Sequence, residues 1–362
     1  MIDSIAVIGS GNGGTAIAAY LTSRGAKVRL SDPFPQYLDG LLNNRKIELV
    51  HNDITQEITI DIVTADISKA ISGAKLIMVV TPSFTHKIIA KAVAPFLEDG
   101  QVVILNPGRT GGAVEFLEVI KRSGCKKHVI IGEASTLIYS CRRVSPTRVE
   151  IYGVKKEVLL GTIPANKTSV ALEIINKYYP QFIAGENCFE TSLSNIGALF
   201  HPTPMLLNIG RIESDKNGFC YYTDGISPAV AKLIKAIDNE RLAVANAYGV
   251  KILSVEEWMM ASYPTHGKDL YTLLQNTDAY KPIKAPTTIQ VRYFLEDVPM
   301  SLVPISELGK AANVKTVNID SVIQLSNAIF NKDFRKEGRN LKNMGLEGLS
   351  KQQIEHFFAT GE

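Results

Sequence analysis

The feature that most constrains this chain is a glycine-rich turn that begins at its ninth residue. Residues 5–8 form an apolar run typical of a buried strand, and a helical pattern follows the turn to about residue 24. The turn has the spacing G-x-G-x-x-G and reads Gly9-Ser10-Gly11-Asn12-Gly13-Gly14. Between a strand and a helix, this spacing predicts a Rossmann fold that binds a dinucleotide.

Each glycine of the turn has a separate physical task. Gly9 makes the tight turn, Gly11 lets the backbone approach the pyrophosphate, and Gly14 lets the helix and the strand pack closely. We expect the pyrophosphate to lie on the free N–H groups at the positive end of the helix, where Asn12 and Gly13 stand.

An acidic residue follows the second predicted strand, residues 27–31. Asp32 comes about 20 residues after the turn, where a carboxylate hydrogen-bonds the ribose hydroxyls of NAD and repels a 2′-phosphate. NAD(H) is therefore expected in preference to NADP(H), although Ser31 and Arg29 are close enough to adjust the pocket.

Strand-like and helix-like segments continue to alternate after the second strand, which predicts a parallel sheet with crossover helices. Further strands are expected at 76–80, 101–105 and 128–131, and an antiparallel edge pair at 150–154 and 157–162. Residues 46–64 are interpreted as a hairpin-like insertion or irregular strands. Helical periodicity then dominates, with helices expected at 192–197, 205–213, 228–248 and 321–330. We predict an α/β fold with a Rossmann domain at 1–185 and a mainly α-helical domain at 186–362.

Two short segments follow strands at the carboxyl edge of the predicted sheet. Thr81-Pro82 comes after residues 76–80, and Asn106-Pro107-Gly108 comes after residues 101–105. In a Rossmann domain this edge holds the ribose and the nicotinamide, so these residues are candidate cofactor contacts. Ordinary turn chemistry explains them equally well.

Composition excludes several other classes of protein. The net charge of +3 is small and evenly spread, so no nucleic-acid partner is expected. The longest apolar run in a predicted strand, residues 76–80, is far shorter than the roughly 20 residues of a membrane span. No secretory signal precedes the first strand, and the four cysteines form no C-x-x-C pair, so we expect a cytoplasmic protein without a metal site.

Hydride transfer also requires a group that moves a proton and a cation that holds a substrate carboxylate. Among the six histidines, His201 stands at a predicted helix start early in the second domain, within Leu199-Phe200-His201-Pro202. A single histidine is more often structural than catalytic, so position alone leaves its role open.

Segments along the whole chain resemble the octopine/nopaline dehydrogenase family, the opine dehydrogenases. They are the glycine-rich turn, Asn106-Pro107-Gly108-Arg109, Glu133-Ala134, residues 201–208, 224–228, 238–241 and 292–299, Gly345-Leu346 and residues 348–350. The resemblance implies a helical second domain like the C-terminal domain of 6-phosphogluconate dehydrogenase. It also implies reductive condensation of an amino acid with an α-keto acid such as pyruvate.

The resemblance implies a role for three residues. His201 matches the catalytic histidine, Asp297 its acidic partner and Arg292 a nearby arginine that would bind a substrate carboxylate. Alternatively, Arg292 and Asp297, which are five residues apart, form a solvated pair on a turn. Asn208 is predicted to lie two helical turns beyond His201 on the same face, as a substrate contact or as an interior hydrogen bond.

The substrates and the assembly are less constrained. Residues expected near the substrate are Cys141, Met205, Tyr222 and Trp258, although Met205 and Trp258 are equally typical of an ordinary core. The identity of the amino acid and of the keto acid stays open. Base rates favour a homodimer.

Two other functions remain as alternatives. A 2-hydroxy acid or glycerol-3-phosphate-type dehydrogenase is expected to have a catalytic lysine early in its helical domain, but residues 179–214 contain no lysine. A sensor that binds the dinucleotide without chemistry would have no need for His201, Arg292 and Asp297 together.

Overall fold

The computed structural model describes residues 4–215 and 217–362, which form two compact units. The first unit extends through Ser192 and also includes Ile354–Glu362 at the end of the chain. The second unit is Leu193–Gln353. The domain boundary predicted at residue 185 stays a prediction. Within the first unit, the Phe189 ring stacks on Phe358 at 3.6 Å.

Two sheets build the first unit. Its strands are β1 (Ser4–Ile8), β2 (Lys27–Ser31), β3 (Lys46–His51), β4 (Ile54–Thr59), β5 (Ile62–Thr64), β6 (Leu76–Val79), β7 (Val102–Leu105), β8 (Ile130–Ala134), β9 (Tyr139–Ser145), β10 (Arg148–Val154), β11 (Val158–Ile163) and β12 (Phe182–Ala184). Eight of them form the main sheet in the order β12-β11-β8-β7-β6-β1-β2-β5. The others form a smaller sheet in the order β4-β3-β10-β9. Strands β8, β7, β6, β1, β2 and β5 are mutually parallel, as expected of a Rossmann domain.

The predicted antiparallel pair of residues 150–154 and 157–162 is wrong. Strand β10 pairs with β3 and β9 in the smaller sheet, whereas β11 pairs with β8 and β12 in the main sheet. Burial explains the separation: most of β11 is buried on both faces, as a central strand requires, while β10 alternates between buried and more accessible positions. The expected hairpin is confirmed as the antiparallel pair β3 and β4.

Helices surround the main sheet and build nearly all of the second unit. Those before the division at residue 192 are α1 (Asn12–Ser23), α2 (Ile67–Ile71), α3 (His86–Val93), α4 (Gly112–Arg122) and α5 (Thr168–Ile175), and α6 (Cys188–Leu193) crosses it. The second unit contains α7 (Gly197–Phe200), α8 (Pro202–Leu207), α9 (Ile209–Ser214), α10 (Pro228–Ala247), α11 (Val255–Ser262), α12 (Leu270–Gln275), α13 (Arg292–Leu295), α14 (Val303–Ala311), α15 (Val317–Phe330) and α16 (Phe334–Glu337), and α17 (Lys351–Thr360) returns to the first. In the part of the chain that the structure describes, no helix is long and apolar enough to cross a membrane.

Two helices expected to be continuous are interrupted, so those predictions are wrong in detail. The helix predicted at 192–197 is split between α6 and α7, where the Asn195 side chain accepts a hydrogen bond from the Gly197 N–H. The helix predicted at 205–213 is split at Asn208, whose amide donates to the carbonyl oxygens of Pro204 and Gly225. In each case a side-chain amide competes with the backbone for hydrogen bonds.

A buried ion pair fixes the centre of the second unit. Arg241 and Asp238 lie one turn apart on α10, both fully buried, with a guanidinium nitrogen 2.5 Å from a carboxylate oxygen. The other carboxylate oxygen accepts from the Val255 N–H, and the guanidinium also donates to the carbonyl oxygens of Leu193 and Leu253. Burial lowers the pKa of Arg241 and the charge of Asp238 opposes that shift, so each charge requires the other.

We expect Asp238→Ala to lower the free energy of unfolding of the second unit by about 3–5 kcal/mol, because it leaves the Arg241 charge buried without compensation. Trp258 is the only tryptophan of the chain and lies in this unit, so its fluorescence during urea unfolding provides the measurement. Asp278→Ala is the matched control, because Asp278 pairs with Lys281 at a side-chain exposure of 91%, where solvent screens the pair, and should have little effect on stability. Equal effects of the two substitutions would contradict the importance of the buried pair.

Candidate active site

The glycine-rich turn leaves no space for side chains at its two ends. Gly9 has a φ of +109°, and a Cβ there would lie 2.4 Å from the carbonyl oxygen of Val80. A Cβ at Gly14 would lie 1.8 Å from the carbonyl oxygen of Gly9. The expected tight turn and the close packing of α1 on β1 are therefore both present.

The middle glycine has a different environment. A Cβ at Gly11 would have no atom within 4 Å, and the residue has an ordinary φ of −72°. The protein's own packing thus does not require glycine here, whereas a ligand that approaches the backbone does. Helix α1 begins at Asn12 and continues through Gly13, so its first N–H groups offer the anion site that a pyrophosphate needs.

Asp32 connects the turn to the loop after β2. One of its carboxylate oxygens accepts from the backbone N–H of Ser10 at 2.8 Å and from the Ser10 hydroxyl at 3.0 Å, and the other accepts from the Phe34 N–H at 3.0 Å. Asp32 is therefore buried at the end of β2 as expected. Arg29 is directed elsewhere, toward the carbonyl oxygen of Ser72 at the end of α2.

Arg143, on β9, reaches the same turn and was missed by the sequence analysis. Its guanidinium donates to the carbonyl oxygens of Ser10 and Tyr37, each at 2.7 Å. The backbone N–H of Arg143 donates to the side-chain oxygen of Asn12 at 3.0 Å. Burial lowers the pKa of Arg143, and the nearby charge of Asp32 opposes that shift. No local pattern indicates this contact, because Ser10 and Arg143 are 133 residues apart.

The two candidate segments at the carboxyl edge of the sheet differ in what they offer a ligand. Thr81 and Pro82 accept hydrogen bonds from the Thr85 hydroxyl, which is turn chemistry. Asn106 is buried after β7 and donates to the Ile104 carbonyl oxygen, but within residues 4–215 and 217–362 its own amide oxygen has no hydrogen-bond partner. This amide oxygen can accept a hydrogen bond from a polar ligand bound at the carboxyl edge of the sheet. A Cβ at Gly108 would lie 2.4 Å from the Glu133 side chain, so glycine is required there by packing.

In the second unit, the structure joins His201 to Asp297. His201 occupies the N-cap position of α8, and its Nδ1 lies 2.8 Å from the carboxylate oxygen Oδ2 of Asp297. Asp297 is fully buried, which excludes the solvated turn considered above. The His201 side chain is 18% exposed, and its Nε2 has no hydrogen-bond partner among the described residues. Nε2 is thus the ring atom available to a substrate.

Neighbouring residues hold the imidazole in place. The Tyr293 ring stacks on it at 4.0 Å with an interplanar angle of 5°, and the Tyr221 hydroxyl donates to the His201 carbonyl oxygen at 2.8 Å. Burial raises the pKa of Tyr221 well above its usual value, which keeps its hydroxyl protonated as a donor. A π-helical turn, Val298–Leu302, begins directly after Asp297; such turns frequently mark functional sites.

Arg292 stands apart from this pair. Its side chain is exposed at the start of α13, and its Nε lies 3.5 Å from a carboxylate oxygen of Glu296. The structure therefore places an accessible guanidinium on the same short segment as Asp297, without a contact to Asp297 or His201.

The residues expected near the substrate occupy different places. Met205 is fully buried on α8, and Asn208 forms the interior hydrogen bonds described above. Trp258 packs against Phe200 at a ring distance of 6.3 Å, and Tyr222 stacks on Tyr280 at 4.2 Å.

Cys141 belongs to the first unit, where its sulfur lies 3.5 Å from the carbonyl oxygen of Asn12. Burial raises the pKa of this thiol to about 11, so it stays protonated at neutral pH.

A dinucleotide-binding unit joined to a helical unit with a histidine–aspartate pair defines a nicotinamide-dependent dehydrogenase. Residues 4–130 match the family described as NAD-dependent glycerol-3-phosphate dehydrogenase N-terminus, and residues 184–330 match that described as NAD/NADP octopine/nopaline dehydrogenase, alpha-helical domain. An opine dehydrogenase from Arthrobacter sp. (strain 1C) is 40% identical over 352 residues, which cover 97% of this chain and 98% of the relative. The chain belongs to the opine dehydrogenase family, as the resemblance predicted, and is an NAD(P)-dependent oxidoreductase acting on CH–NH donors.

Solved structures agree with the fold. An octopine dehydrogenase in complex with NADH and agmatine has a TM-score of 0.85 at 22% identity, covering 100% of this chain and 98% of that one. A yersinopine dehydrogenase with NADP+ bound has a TM-score of 0.72 at 13% identity, covering 99% and 98%. The predicted α/β class with a helical second domain is confirmed.

We expect Gly11→Ala to leave the stability of the fold unchanged and to weaken NADH binding by about tenfold or more, because the added methyl occupies only the space a pyrophosphate would need. Fluorescence titration with NADH and a thermal melt measure the two effects. Gly153→Ala is the control, since a Cβ there also has no atom within 4 Å but lies on β10. Unchanged NADH affinity in Gly11→Ala would exclude a close pyrophosphate contact at this position.

Proposed function

We propose that the chain catalyses the NAD(P)H-dependent reductive condensation of an amino acid with an α-keto acid, pyruvate in the first instance, and the reverse oxidation. The amine nitrogen bonds to the keto carbon, the carbonyl oxygen leaves as water, and the resulting C=N bond takes up a hydride. The product is an N-(carboxyalkyl) amino acid. The single observation that carries this proposal is the His201–Asp297 pair with its accessible Nε2.

His201 performs the proton transfers in this proposal. The Asp297 carboxylate accepts a hydrogen bond from Nδ1, which fixes the tautomer and leaves Nε2 as the atom that exchanges protons. The attacking ammonium nitrogen gives two protons to the departing oxygen, which leaves as water, and keeps one hydrogen in the protonated imine that the hydride reduces. In each transfer Nε2 takes the proton from nitrogen and then returns it to oxygen. Asp297 also stabilises the imidazolium that exists between these two steps.

The remaining tasks are binding and orientation. When bound, the dinucleotide supplies the hydride from its nicotinamide ring. Gly11, Asn12 and Gly13 would hold its pyrophosphate, and the free amide oxygen of Asn106 would bind a polar group at the carboxyl edge. Arg292, whose guanidinium is exposed, would bind a substrate carboxylate through its planar fork.

We further propose that NADH is the preferred cofactor. The buried Asp32 carboxylate places a negative charge beside the turn, where it disfavours the 2′-phosphate of NADPH. Arg29, the basic residue nearest to Asp32 in the sequence, donates hydrogen bonds to backbone carbonyl oxygens at the end of α2. Arg143 reaches this turn from β9, and its guanidinium donates to backbone oxygens.

The deciding experiment measures oxidation of NADH and of NADPH with pyruvate, in the presence and absence of a panel of L-amino acids. Oxidation that requires both the amine and the keto acid supports the proposal and identifies the amine donor. Oxidation with the keto acid alone would assign the chain to the 2-hydroxy acid dehydrogenases. Tight binding of NADH without turnover for any pair would favour a sensor.

We expect His201→Ala to lower turnover by at least about a hundredfold while leaving NADH affinity nearly unchanged, because it removes the group that moves the protons. Steady-state kinetics and an NADH titration provide both numbers. His266→Ala is the matched control, since His266 is exposed in the same unit. Ordinary turnover in His201→Ala would remove this histidine from the mechanism.

We expect Asp32→Asn to lower the ratio of kcat/KM for NADH to that for NADPH by about tenfold, because it removes the charge that repels the 2′-phosphate and keeps an oxygen acceptor. Kinetics with both cofactors measure the ratio. Asp61→Asn, at an exposed residue between β4 and β5, controls for the loss of one negative charge. An unchanged ratio would show that another residue sets the preference.

A further inference from the structure

Tyr222 lies close to the His201–Asp297 pair, and its ring is held from several sides. The ring stacks on Tyr280 at 4.2 Å with an interplanar angle of 13°, and it meets Phe200 and Tyr221 edge-on at 6.0 and 5.1 Å. The residue is 7% exposed. A ring packed in this way has one orientation, so the position of its hydroxyl is fixed.

The hydroxyl of Tyr222 differs from those of the tyrosines around it. The Tyr221 hydroxyl donates to the carbonyl oxygens of Phe200 and His201, and the Tyr280 side chain interacts with Tyr263 at a ring distance of 5.1 Å. Across the described ranges, 4–215 and 217–362, the Tyr222 hydroxyl has no hydrogen bond to another residue, and its oxygen is not among the fully buried polar atoms. The hydroxyl is therefore open to a ligand that can accept its hydrogen bond.

The position of Tyr222 relates it to the reacting groups. Phe200, against which its ring packs, directly precedes His201, and Tyr221 packs against the same Tyr293 ring that stacks on His201. Burial raises the pKa of Tyr222 far above its usual value, and the charge of Asp297 adds to the shift. The hydroxyl therefore stays protonated at neutral pH, and it can serve as a donor.

We propose that the Tyr222 hydroxyl donates a hydrogen bond to a carboxylate oxygen of the substrate bound at His201. This inference rests on the proposed function, in which both the amino acid and the keto acid have a carboxylate. A carboxylate is an anionic acceptor, and a hydrogen bond to it is stronger than one between neutral groups. Tyr222 would then supply a neutral donor to substrate carboxylates, in addition to the charged Arg292.

The test is Tyr222→Phe, which removes the hydroxyl and keeps the ring. We expect the KM of the keto acid or of the amino acid to rise about tenfold or more, while the KM of NADH stays the same. We also expect the melting temperature to stay the same, because the substitution removes no hydrogen bond within the protein. If the amino acid is the partner, its carboxamide should be a poor substrate of the original enzyme, and the variant should discriminate less between the two.

Tyr280→Phe is the matched control, because it removes a hydroxyl that already has a partner and keeps the stacked ring. It should lower the melting temperature and leave both substrate KM values unchanged. The proposal is overturned if Tyr222→Phe gives this same pattern, or if no substrate KM changes.

Substrate binding separates this proposal from the proposed function. Trp258 fluorescence, titrated with pyruvate and with each amino acid in the presence of NADH, gives dissociation constants without turnover. If the amino acid panel shows no amine-dependent turnover, the proposed reaction fails, but weaker pyruvate binding in Tyr222→Phe still supports the role of the hydroxyl. If turnover is normal and binding is equal in both proteins, only the role of Tyr222 is lost.

Discussion

The hydrogen bond between His201 Nδ1 and Asp297 Oδ2 is the interaction on which the proposed chemistry of this protein depends. It joins residues 96 positions apart, so it exists only when α8 and the segment before the π-helical turn are both in place. A buried carboxylate is costly to desolvate, and a hydrogen bond from the imidazole offsets part of that cost. The same bond sets the tautomer of the ring, which connects the stability of the second unit with the availability of Nε2.

In the first unit, most of the candidate cofactor site is formed by residues that are close together in the sequence. Gly9, Gly11 and Gly14 meet three separate requirements within one turn, and each can be explained from the few atoms around it. Long-range contacts then complete the turn: Asp32 binds Ser10 from the end of β2, and Arg143 binds the same residue from β9. The first of these follows from the Rossmann pattern, whereas the second does not.

The errors of the sequence analysis have a common physical cause. Apolar periodicity correctly located β2 and α10 because it reflects which face of a single element is buried. It could not show which strands become neighbours, so β10 and β11 were paired although they belong to different sheets. Asn195 and Asn208 interrupt helices through side-chain hydrogen bonds, one of them to the carbonyl oxygen of the distant Gly225. Periodicity contains no information about such partners.

By itself, the sequence determined the Rossmann unit and the helical second unit, because glycine spacing and apolar periodicity are properties of neighbouring residues. It indicated the opine dehydrogenase family through the resemblance of segments along the chain. It also named His201, Asp297 and Arg292, but only through resemblance. The tertiary structure decided which of these form a pair, since Asp297 contacts His201 while Arg292 pairs with Glu296. It alone distinguished the Tyr222 hydroxyl from its partnered neighbours, because whether a side-chain hydroxyl has a partner depends on residues far away in the chain.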